Sequence, residues 1–95
     1  MNKALAEMAS DFFEAVLRLK TKEDCEKFFE DVFTIKELQD VSQRLEVAVL
    51  LKQGKNYREI SETTGASTAT ISRVSKCLSY GNGGYEIVLK EKDEA

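Results

Sequence analysis

The chain has no histidine and no proline, and only two cysteines among its 95 residues. Each scarcity excludes a class of function. Without histidine, the commonest transition-metal ligand and the usual base of a nucleophilic triad are both missing, so no metal site is expected. Cys25 and Cys77 lie far apart, with no Cys-x-x-Cys pair. Each sits among apolar residues at helical spacing, which predicts two buried free thiols rather than a disulfide. Without proline, no helix interior is broken. No segment alternates apolar and polar residues as a half-buried strand does, and no apolar run approaches the ~18 residues of a membrane span. The N-terminus, Met1-Asn2-Lys3-Ala4, carries one side-chain charge and leads into Glu7 and Asp11. That is not the pattern of a secretory signal, so a cytoplasmic protein with no membrane partner is expected. No glycine-rich phosphate loop follows a strand and no carboxylate pair marks a cleft, so an enzyme is not expected.

With 42% apolar and 33% charged residues, what remains reads as one soluble, all-α domain. The net charge of −3 is unevenly spread. Between Arg44 and Tyr80 there are six basic residues and three acidic ones, so this segment carries +3 and the remainder −6. A basic segment on an acidic body fits a protein that meets phosphate with one face only.

Helical spacing organises the chain. Leu5, Met8, Phe12, Val16 and Leu19 mark a first helix over Lys3 to Lys20. Thr21, with Asp24 three residues later, caps a short second helix to about Asp31. Thr34-Ile35-Lys36-Glu37 is a capping box that opens a third helix to Gln53, ended by Gly54. The apolar stripes of helices one to three, including the five phenylalanines and Val47 to Leu51, are wide for so short a chain to bury alone. They predict a homodimer, with residues 1–53 as dimerisation helices.

The segment Asn56 to Leu78 has the punctuation of a helix-turn-helix, placed over residues 56–79. Asn56 caps a helix from Tyr57 to Thr64, Gly65 supplies a positive-φ turn, and Ser67 caps a helix from Thr68 to Tyr80. Ile60, Ala66, Ile71 and Val74 fall where the two helices pack together. The second helix begins Thr68-Ala69-Thr70, and such small residues let a backbone approach base edges in a major groove. Arg58, Arg73 and Lys76 are candidates for phosphate contact. Asn82-Gly83-Gly84 then breaks the pattern and opens a C-terminal helical segment, residues 82–92, whose helix or frayed stretch runs from Tyr85 to about Lys92, before a mobile tail, 93–95.

In Arg-Leu-Glu-Val-Ala-Val-Leu-Leu-Lys-Gln-Gly (44–54), Thr-Gly-Ala-Ser-Thr-Ala-Thr-Ile-Ser-Arg-Val (64–74) and Leu-Ser-Tyr-Gly-Asn-Gly-Gly-Tyr (78–85), the chain resembles the Trp-repressor superfamily. The likeness is strongest to its TrpR-like branch, the YerC/YecD group, and runs from about Phe12 to Leu89. It implies an intertwined, all-helical homodimer with two helix-turn-helix heads, acting on double-stranded DNA as a transcriptional regulator or repressor. Carried over residue by residue, the DNA-reading positions are Arg58, Thr68, Ala69, Thr70 and Ser72; with Ser61 and Lys76 they make up the candidate DNA-binding set. Ser61 stands where the repressor has a lysine, which removes one phosphate contact. The candidate effector pocket is Thr34, Arg44, Arg73 and Val74. The first three match the repressor's tryptophan pocket, but Val74 replaces a glycine and should fill space the indole needs. No cofactor and no response to L-tryptophan are therefore expected, while another small effector stays open. The alternative reading is a protein-interaction module that reuses the fold without specific DNA binding.

Overall fold

The computed structural model describes residues 1–94, with side chains described through Leu89. Among these residues there are six α-helices and no strand: α1 (Lys3–Val16), α2 (Lys22–Val32), α3 (Ile35–Lys52), α4 (Tyr57–Thr64), α5 (Thr68–Tyr80) and α6 (Gly84–Glu94). No described helix is long and apolar enough to cross a membrane. The chain divides into two compact units, Met1–Ile35 and Lys36–Ala95.

In the first unit, Asn2 caps α1 by accepting a hydrogen bond from the Leu5 amide at 2.8 Å. Helix α1 ends at Val16, short of the expected Lys20. There the amides of Arg18 and Leu19 switch to the carbonyls three residues back, Ala15 and Val16. This tightens the last turn, and it lets the chain reverse before Thr21 caps α2 by accepting from the Asp24 amide at 3.0 Å. Aromatic rings join the two helices. Phe12 stacks on Phe28 at 5.9 Å, and Phe29 meets both Phe28 and Phe33 at 5.3 Å. Even so, no residue of α1 or α2 is buried. Met8 is 77% exposed and Leu17 83%.

The second unit is built on a small apolar core of Val47, Ala48, Ile60, Ala66, Ile71, Val74 and Leu89. Helix α3 contributes Val47 and Ala48, and Val49, Leu50 and Leu51 pack beside them. Of the run Val47 to Leu51, only Val47 and Ala48 are buried within the chain, while Val49, Leu50 and Leu51 stay partly exposed. Elsewhere on α3, Val41 and Leu45 remain exposed. Gly54 ends α3 with φ +81, its amide donating to Leu51 and the Lys55 amide to Leu50. These two bonds satisfy orphan carbonyls in the manner of a Schellman termination.

Cys77 is exposed and Cys25 half-buried, which corrects the expectation of two buried thiols. The core stripe of α5 runs Ile71, Val74, Leu78. At 3.6 residues per turn Cys77 lies about a quarter turn away from it. Helix α6 begins at Gly84 and is held by buried Leu89 and by a 2.9 Å ion pair from Lys52 to Glu86. It runs to Glu94, so Asp93 and Glu94 of the expected tail belong to the helix, and Ala95 lies outside the described residues.

Candidate nucleic-acid interface

The segment 56–80 forms two helices joined by a three-residue turn. Asn56 caps α4, its side chain accepting from the Glu59 amide at 2.9 Å. Gly65 ends α4 with φ +76, and its amide donates to the Ser61 carbonyl at 2.9 Å. A Cβ on Gly65 would meet nothing within 4 Å. The requirement for glycine is therefore conformational, since an L-residue is disfavoured at positive φ even in open space. Ser67 caps α5 by accepting from the Thr70 amide at 3.1 Å, and its hydroxyl donates to Thr70 Oγ1 at 3.1 Å.

The apolar contacts that hold the two helices together are nearly complete. Ile60 and Ile71 are fully buried, Val74 is 1% exposed and Ala66 2%. Burying side chains of this kind stabilises by about 1.5–3 kcal/mol each for the larger ones. The head is thus a rigid presentation of whatever faces outward.

Thr68, Ala69, Arg73 and Lys76 on α5 and Arg58 on α4 are exposed, while Thr70 and Ser72 are half-buried. Arg58 Nε pairs with Glu62 at 3.1 Å, with both side chains largely in solvent. An exposed pair spaced four residues along a helix is worth about 0.3–0.5 kcal/mol, so Arg58 can exchange Glu62 for another anion at little cost. Ser61 differs from the rest of the set. Its hydroxyl donates inward to the Ala66 carbonyl at 2.9 Å, so its only donor is committed to the turn.

Sequence reasoning missed two residues of this region. Thr64 Oγ1 donates to the Ile60 carbonyl at 2.8 Å and accepts from the Ala66 amide at 3.1 Å. Gln43, on α3, reaches across 21 positions of sequence to donate from Nε2 to the Thr64 carbonyl at 3.1 Å. No local pattern marks Gln43, because its partner is distant in the chain.

The residues of the expected effector pocket fall in different settings. Val74 points into the core, Arg44 is half-buried on α3, Arg73 is exposed, and Thr34 is exposed in the first unit. An open, largely apolar groove of about 440 Å³ lies in the second unit, lined by Leu45, Cys77, Tyr85 and Val88 with the Gly81–Gly84 turn. None of Arg44, Arg73 and Val74 lines it.

This arrangement of a capped helix, a left-handed glycine turn and a second capped helix has counterparts. The Trp repressor protein family model matches residues 7–93. The uncharacterized protein YerC of Bacillus subtilis (strain 168) is 47% identical over 94 residues, which cover 99% of this chain and 90% of that protein. A crystal structure of a TrpR-like protein from Eubacterium eligens ATCC 27750 superposes with a TM-score of 0.91 at 46% identity, covering 97% of this chain and 96% of the other. A candidate Trp repressor from Staphylococcus aureus gives a TM-score of 0.83 at 44% identity, over 98% of this chain and 89% of that one. Fold, head geometry and sequence therefore agree in placing the chain in the Trp repressor family, among its TrpR-like, YerC-type members.

Proposed function

We propose that the protein is a sequence-specific, DNA-binding transcriptional regulator that acts as a homodimer. The observation that carries the reading is the α4–α5 head. Its inner face is a closed apolar core, and its outer face offers Thr68 and Ala69 at the start of α5, flanked by Arg58, Arg73 and Lys76. Small residues at the N-terminal end of α5 can approach base edges, with Thr70 and Ser72 behind them, and the cations can meet phosphate. Ser61 serves the turn rather than the DNA backbone. A dimer is supported by the apolar side chains left in solvent, among them Met8, Leu17, Ile35, Ile87 and Val88, each more than half exposed. Two copies that covered these side chains would gain the burial a single short chain lacks.

L-tryptophan is not the effector in this reading. Val74 fills the core position where the repressor has glycine, and a side chain that is 1% exposed cannot yield space without loss of packing.

The test is selection of genomic fragments by the purified chain at moderate salt, with Thr70→Glu as control. Thr70 is the third residue of α5, and its amide bonds the Ser67 cap. Glutamate at that position completes a capping box, so this variant should stay folded while placing a like charge against DNA. A recurring palindrome recovered by the wild type and lost in Thr70→Glu supports the regulator. Equal recovery by both removes the assignment of the reading face. Absence of enrichment in either moves the reading to a protein-interaction role for the fold.

A further inference from the structure

We propose that Gln43 is a positioning residue for DNA reading: its amide clamps the α4–α5 turn to α3 and so fixes the pose of the reading helix. The inference rests on the regulator reading above. It starts from what the core can and cannot fix. Val47 and Ala48 of α3 meet Ile60, Ala66, Ile71 and Val74 of the head through apolar contact alone. Such contact is strong but non-directional, and it leaves small rotations of one helix over another weakly specified.

The turn itself is directional. Ser61 Oγ and Thr64 Oγ1 hold its two sides, donating to the Ala66 and Ile60 carbonyls. Both bonds are internal to the head, however, and neither ties it to the rest of the chain. The Gln43 bond does. Nε2 donates at 3.1 Å to the carbonyl of Thr64, the last residue of α4, in a partly buried setting. That carbonyl is one of the orphan acceptors at a helix C-terminus, so it needs a partner when water is kept away. The Gln43 bond is a side-chain bond from α3 to the end of α4, at the edge of the turn. In the proposed clamp this directional contact fixes an orientation that the large non-directional contact leaves open. Because readout of base edges depends on side chains reaching a fixed register, a loosened pose should cost discrimination more than it costs contact with phosphate.

Two variants of the full-length chain separate a clamp from mere packing. Gln43→Leu keeps bulk and removes the donor. Gln43→Glu keeps the shape of the side chain and turns a carboxylate toward the Thr64 carbonyl at neutral pH. Binding is read by fluorescence anisotropy on a duplex selected by the wild type and on a random duplex of equal length, over a range of salt. Melting of each variant is recorded alongside. The clamp predicts that affinity for the selected duplex falls about tenfold in Gln43→Leu and further in Gln43→Glu, a loss of the size of one mismatched base pair. Affinity for the random duplex and the salt slope should stay within twofold of wild type in Gln43→Leu. If Gln43→Glu matches the wild type, or if both duplexes lose affinity in equal proportion, the clamp is overturned while the regulator reading stands. A wild-type protein that binds every duplex alike removes the regulator reading, and the clamp with it.

Discussion

Val74 links the stability of the head to the question of its effector, and its truncation can be worked through from the structure. The side chain is 1% exposed and packs with Val47, Ala48, Ile60 and Ile71. Val74→Ala removes two buried carbons, at about 0.8 kcal/mol each. The cavity left behind adds roughly 0.5–1 kcal/mol, because the surrounding helices relax only in part. Alanine returns about 0.5 kcal/mol through its better helix propensity in the middle of α5. The net expected loss is about 2 kcal/mol. Val74→Gly removes a third carbon and adds the cost of glycine inside a helix, for a total of about 3.5 kcal/mol. Either value is a large share of the ~5–15 kcal/mol that holds a domain folded. Urea denaturation followed by helical circular dichroism, at one fixed protomer concentration, measures both. A loss below about 0.5 kcal/mol for Val74→Ala would refute the reasoning, since it would mean that position 74 is not packed as the structure shows. The same samples test the effector. Wild type should show no saturable stabilisation by L-tryptophan.

Three further outcomes follow from particular contacts. Gly65→Ala should cost about 1–2 kcal/mol in the same denaturation assay, from the left-handed backbone alone, because the added Cβ meets nothing. Ser67→Ala, which removes the α5 cap, should cost about 1 kcal/mol, with weaker DNA binding seen by anisotropy. Arg58, Arg73 and Lys76 on each of two heads would make about six phosphate contacts, giving a plot of log affinity against log salt with a slope of about −5. A slope near −3 would mean that one head engages DNA, and one near −2 that one cation per head does.

Much of the candidate site was legible in the sequence because it is written in local chemistry. Asn56, Gly65 and Ser67 act within four residues of themselves, through side chain to amide bonds and one left-handed backbone position. Their spacing therefore placed both head helices where the structure has them. The inward set Ile60, Ala66, Ile71 and Val74 was legible for the same reason, since helical periodicity shows which positions share a face. Family likeness added the candidate reading positions, which periodicity alone could not rank among the other polar residues of α5.

The remainder depended on what lies opposite each residue in space. Cys77 and Leu78 are neighbours of similar apolar character, yet only Leu78 packs on the core, because α6 and α3 meet α5 on one side. Of the apolar run Val47 to Leu51, only Val47 and Ala48 are buried within the chain, because the core residues of α4, α5 and α6 gather around those two positions. Ser61 resembled a truncated phosphate contact, but its hydroxyl turns to the Ala66 carbonyl. Gln43 carried no signal, because its acceptor belongs to a helix 21 residues away. The sequence by itself determined the helices, their caps and the turn, since these are settled by neighbours along the chain. Only the tertiary structure decided which polar side chains are consumed in holding the head and which remain to face a partner, because a hydrogen bond across the fold depends on distances that no local pattern records.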